Sequence, residues 1–167
     1  MEAGYKKNNN VRGFTLVELL AVIVVLAIIM LIAVNAILPQ MDKARQNAFA
    51  IEANGLIKSA TQYVIAKSYT DNKVVDDRGV CVTVATLVDS ADSELDKTKY
   101  SGYVVIKKSG NLNLYQVWLT NKSFMVEGAG VNGGANVAID GQTHVKKYDS
   151  TKASTFASCP TTYENWG

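Results

Sequence analysis

The sequence predicts an α+β chain: a long N-terminal α-helix, apolar on all sides at first and amphipathic later, packed on a small antiparallel β-sheet head. Three observations predict it. Residues 14–38 hold one charged side chain, Glu18. Beyond Pro39, apolar residues recur at the three-to-four spacing of an amphipathic helix. After residue 68 the composition changes to short β-branched and aromatic runs separated by turn residues. The chain therefore divides into a leader (1–13), an apolar helix (14–38), its amphipathic continuation (39–68) and a β-rich head (69–167).

The leader is short, basic and polar, with Lys6, Lys7 and Arg12 before Gly13. From Phe14 to Leu38 there are 25 residues, and about 20 apolar residues cross a bilayer as a helix. A carboxylate within such a span costs about 2.5 to 3.5 kcal/mol on insertion scales, which marks Glu18 as functional and in need of a partner. A secretory signal places its small-residue cleavage site after the apolar region. Here the small residue, Gly13, comes first, so a cut after it removes the charged leader and leaves the apolar helix on the mature chain. The new terminus is the amine of Phe14, a cation near neutral pH because an α-amino group titrates at about 7.7 to 8.0. Side-by-side helices with a small axial stagger bring Glu18 of one copy to the Phe14 amine of the next. A plain signal anchor explains neither the place of Gly13 nor the aromatic residue after it.

The segment Arg12-Gly13-Phe14-Thr15-Leu16-Val17-Glu18-Leu19-Leu20 closely resembles the processing site of type IV prepilins and pseudopilins. The resemblance covers roughly the first third of the chain and implies the type IV pilin-like version of the fold above. It implies cleavage between Gly13 and Phe14 by a membrane-embedded prepilin peptidase, N-methylation of Phe14, and assembly contacts through Glu18. The implied partners are other copies of the chain in a helical homopolymer, the peptidase and methyltransferase, the membrane before assembly, and a pilus assembly platform with its ATPases. No cofactor is implied.

The chain has 17 basic and 15 acidic residues. Its leader holds Lys6, Lys7, Arg12 and Glu2, so 14 of each sign remain after cleavage and no net field for nucleic acid is left. Basic residues on the short N-terminal flank favour its retention in the cytoplasm. The expected precursor is single-pass in the inner or cytoplasmic membrane with an extracytoplasmic C-terminus, and the mature protein reaches a surface pilus. In that oxidising setting Cys81 and Cys159 are a disulfide candidate, the alternative being two buried free thiols. Pilin heads commonly close their C-terminal region with such a bond, and Cys159 lies near that end. A metal site is not expected, because there is one histidine and no Cys-x-x-Cys pair.

Past Pro39, the residues Met41, Ala44, Ala48, Ile51, Ile57, Ala60 and Val64 form the apolar stripe. A helix from Phe14 to Ser68 is about 80 Å long at about 1.5 Å per residue, so its second half needs a covering other than lipid. Pro39 removes a donor and predicts a kink or local loosening, with Asn35 sharing that role and Gly55 a second weak point. Four runs read as a strand meander: 80–84, 103–106, 112–119 and 123–127. Ser109-Gly110-Asn111 and Thr120-Asn121-Lys122 provide turns. A short helix is expected within 86–97, short strands at 137–139 and 143–145, and irregular chain over 150–167.

The head offers no catalytic set, and the chain is not read as an enzyme. His144 reads as a structural histidine. The run from Gly128 to Gly134 lacks the lysine and hydroxyl of a phosphate loop and reads as a flexible connection. The acids Asp71, Asp76 and Asp77, and likewise Asp89, Asp92, Glu94 and Asp96, are interleaved with Lys73, Arg78, Lys97 and Lys99, the pattern of a solvated mixed-charge surface. The leading functional reading is the major subunit of a type IV pilus serving adhesion, motility or biofilm formation. Its alternatives are a pseudopilin of a type II secretion system or a competence pilin, and a membrane-anchored binding protein that never polymerises.

Overall fold

A computed structural model describes residues 13–90 and 95–166. They fall into two units that divide after Met41. Helix α1 (Leu16–Thr70) contributes to both.

In the first unit, α1 is built from Leu, Ile, Val and Ala and buries none of its described residues. Leu16, Leu31 and Ile32 all stand open. A helix apolar around its whole circumference has no core-facing stripe of its own and needs lipid or protein on every side. By length and composition, α1 suffices to cross a membrane. The expected loosening at Pro39 does not interrupt the helix, which is continuous from Leu16 to Thr70. Proline removes only one donor, and the helical conformation continues on either side of it. Asn35 Nδ2 donates to the Leu31 carbonyl at 3.2 Å.

In the second unit, α1 buries Phe49, Ala50, Ala53, Leu56, Ser59, Ala60, Tyr63 and Val64. This corrects the predicted stripe. Ala60 and Val64 belong to it, but Ile51 is 72% exposed. Small Ala50, Ala53 and Ala60 let the sheet approach the helix backbone, while Phe49, Leu56 and Tyr63 fill the space beside them. The predicted stripe is right from Ile57 to Val64, but its first part, Met41, Ala44, Ala48 and Ile51, lies on the exposed side.

The sheet has six strands in the order β7-β4-β3-β2-β1-β8. Strands β1 (Val80–Thr83), β2 (Ser101–Ser109), β3 (Leu112–Thr120) and β4 (Phe124–Ala129) make the antiparallel meander. Strand β7 (Lys146–Lys147) closes the β4 edge, and β8 (Glu164–Asn165) lies parallel to β1 at the other edge. Strands β5 (Val131–Asn132) and β6 (Ala135–Asn136) form a separate hairpin. The continuous run from Tyr103 to Ile106 is buried throughout because both faces of β2 are covered. Val104 and Ile106 join the helix side, and Tyr103 and Val105 face a second cluster with Cys81, Trp118, Cys159 and Tyr163.

That second face is covered by the C-terminal segment expected to be irregular. It contains a 3₁₀ helix at Ser150–Phe156, with Phe156 buried, and then β8. Cys159 is joined to Cys81 with Cα atoms 5.9 Å apart. Tyr63 Oη donates to the Trp166 carbonyl at 2.5 Å, and Trp166 N to the Cys81 carbonyl at 3.1 Å.

Other expectations are corrected. Helix α2 (Val84–Ser90) starts earlier than predicted, with Thr83 Oγ1 accepting from Thr86 N. Residues 91–94, with Asp92 and Glu94, lie outside the described residues. Neither 137–139 nor 143–145 is a strand. The Asn54 side chain on α1 takes both backbone groups of Ile139, each at 2.8 Å, and so replaces a neighbouring strand. Over 140–144 the chain makes a helical turn in which His144 N donates to the Asp140 carbonyl. The Gly-rich stretch is shaped chain: Gly133 and Gly134 both take positive φ at the β5–β6 turn, and a Cβ on Gly130 would collide with the Tyr115 carbonyl.

Candidate processing and assembly site

Phe14 and Thr15 lie ahead of the first turn of α1, and Phe14 is 84% exposed. Gly13 has no positive φ, and a Cβ added to it meets nothing within 4 Å. The fold of this chain therefore makes no demand for glycine at 13. The leader residues Lys6, Lys7 and Arg12 lie outside the described residues.

Glu18 has a partner within its own chain. Its Oε2 accepts from Thr15 N at 2.8 Å and from Thr15 Oγ1 at 2.9 Å, and Glu18 N donates to Thr15 Oγ1 at 3.3 Å. This reciprocal arrangement is a capping box, in which the residue before the helix and the third residue inside it satisfy each other's free amides. The carboxylate also faces the positive end of the helix dipole. Thr15-Leu16-Val17-Glu18 spells the pattern outright, a signal that a reading focused on the isolated charge passes over. Both bonds to the carboxylate use Oε2.

Elsewhere several acids of the head are engaged locally. Asp71 pairs with Lys67, Asp76 with Arg78, and Asp89 with Lys97, at 2.6 to 2.7 Å. Thr143 and Gln142 backbone amides hold the Asp140 carboxyl below the usual carboxylate range, and Thr151 does so for Asp149. Among the described residues, no three of His, Cys, Asp and Glu gather as a metal site. His144 Nδ1 accepts from Asp140 N at 3.0 Å, which ties it into its turn.

Comparison with known proteins gives one positive finding. No curated protein and no solved structure matches the chain. Residues 8–34 match the family model described as the prokaryotic N-terminal methylation motif, an interval that contains Gly13, Phe14, Thr15 and Glu18. The chain thus carries the N-terminal signature of type IV pilins and pseudopilins at the head of its apolar helix.

Proposed function

We propose that this chain is a structural subunit, the major pilin, of a type IV pilus, and that it polymerises through residues 14–38. The observation that carries this reading is the methylation motif placed directly before a helix whose apolar side chains are open all round. In the proposed sequence of events, the precursor sits in the membrane with its head on the extracytoplasmic side. A prepilin peptidase cuts between Gly13 and Phe14, and the Phe14 amine is methylated. Gly13 serves the peptidase, since the fold has no need of it. The assembly platform and its ATPases then move the helix from lipid into a filament core, where the heads coat the outside.

Glu18 reads the amine of a neighbouring copy. The capping box fixes its Oε2 and leaves Oε1 for the incoming ammonium. The carboxylate is then hydrogen-bonded through both oxygens, the condition under which a charge in apolar surroundings is tolerated. Mass spectrometry of the mature protein tests the processing: a chain beginning at methylated Phe14 is expected, and one that still begins at Met1 or is cut after Leu38 would sink the proposal. Glu18→Ala is expected to insert normally and to yield few filaments. Wild-type filament yield from that variant would remove Glu18 from assembly.

A further inference from the structure

We propose that Asn35 is a polar register contact between the apolar helices of two copies of this chain, an inference that rests on the polymer reading above. Residues 19–34 are apolar without exception, and Asn35 is the first interruption after Glu18. Its side chain is exposed and uses one N–H on the Leu31 carbonyl. A primary amide has a second N–H and an oxygen with two acceptor positions. Four residues later stands Pro39, inside the same helix. With no N–H of its own, it leaves the Asn35 backbone carbonyl without its usual helical donor. One turn thus presents a spare donor, a side-chain acceptor and a backbone acceptor, beside exposed Ile32 and Leu38.

The position along the helix decides when those groups matter. Asn35 lies about 28 Å from Leu16, close to the far boundary of a hydrocarbon layer about 30 Å thick. In the membrane, headgroup water satisfies the amide and the carbonyl. Once helix packs on helix, that water is displaced and each polar group needs a partner on the neighbouring helix. A second copy supplies what is missing, because the spare N–H of one amide suits the amide oxygen or open carbonyl of another. Lipid tails and purely apolar helices supply neither. A single asparagine in an apolar seam excludes packings that leave it unpaired, and in this way sets register.

The test compares filaments of the full chain with those of Asn35→Leu and Asn35→Thr, reading the rate of subunit release in mild detergent. Threonine retains a hydroxyl for the Leu31 carbonyl but loses the amide. Both variants are expected to release subunits about 3-fold to 20-fold faster than wild type, the range of one interhelical hydrogen bond. Release at the wild-type rate by Asn35→Thr would reduce the residue to a local role. An equal or slower rate from Asn35→Leu would overturn the proposal outright. In wild-type filaments co-assembled from nitrogen-labelled and carbon-labelled copies, solid-state NMR is expected to show Asn35 Nδ2 near a carbonyl of another copy. A missing contact there also overturns it, whereas wild-type protein that forms no polymer at all defeats the polymer reading first.

Discussion

Asn54 shows how a single side chain can organise distant chain. Its amide oxygen accepts from Ile139 N and its Nδ2 donates to the Ile139 carbonyl and to the Ala50 carbonyl, all at 2.8 Å. Asn54→Ala leaves the backbone of buried Ile139 without these partners, and at about 0.5 to 1.5 kcal/mol for each of the two bonds to Ile139 it should destabilise the head by about 1 to 3 kcal/mol in urea unfolding. Asn54→Asp keeps the acceptor but turns a carboxylate oxygen towards the Ile139 and Ala50 carbonyls, so it should destabilise the head at least as much. Tyr100 makes a pH prediction at the same scale. Burial, followed by its interaction with Glu52, pushes its hydroxyl up to about 12 from 10.0. The raised folded value means that its contribution is fully present below the unfolded value and is lost as pH climbs from 10 towards 12. The unfolding midpoint should therefore fall across that window, and Tyr100→Phe should show a shallower fall. Neither residue announces itself in sequence, because Asn54 has its partner 85 residues away and Tyr100 lies just outside a strand run. Glu18 stands out in the sequence as a charge out of place, whereas its capping role lies in the Thr15-Leu16-Val17-Glu18 pattern, which attention to the isolated charge passes over.

Among the elements, the four meander strands were readable because their composition switches sharply at each turn, with Gly110 and Lys122 at positive φ in two of them. The short strands were not. Each of β5 to β8 has two residues, too few for alternation to register, and their pairing depends on chain brought in from elsewhere. The burial of α1 was half legible: its period is in the sequence, but which side faces the sheet depends on how closely alanines allow the strands to come. Pro39 carries the prediction at this scale. It withholds one donor from an otherwise continuous helix, so Pro39→Ala should restore that donor and remove a penalty of about 3 kcal/mol for proline in a helix interior. Hydrogen exchange of the full chain in micelles should then slow at residues 36–41. Unchanged exchange would mean that neighbouring turns already compensate.

At the scale of the molecule, the unit from Asp42 onward holds the whole described core. The helix-side cluster begins at Phe49 and ends at Trp166, and the second cluster is closed by the Cys81–Cys159 bond. The C-terminal segment pins itself at successive points across the sheet: Lys152 to Glu127 at 2.7 Å, Cys159 to Cys81, Lys107 over the Tyr163 ring, and Trp166 against Tyr63. A chain beginning at Asp42 should therefore fold by itself, remain monomeric and form the same disulfide, since it retains that core and lacks the apolar surface of residues 14–41. Non-reducing peptide mapping and sedimentation would check both statements. In the same truncated chain, Cys81→Ala with Cys159→Ala should lower stability by up to about 4 to 5 kcal/mol, the chain-entropy value for a sequence separation of 78 residues. Its loss should first release the segment covering the outer face of β2, exposing Tyr103 and Val105 and breaking the Tyr103–Trp118 stack with rings 5.2 Å apart. Near-ultraviolet dichroism from that pair should then fade at lower denaturant than far-ultraviolet helix signal from α1. Coincident transitions would show instead that the segment and the helix-side core unfold as one cooperative unit.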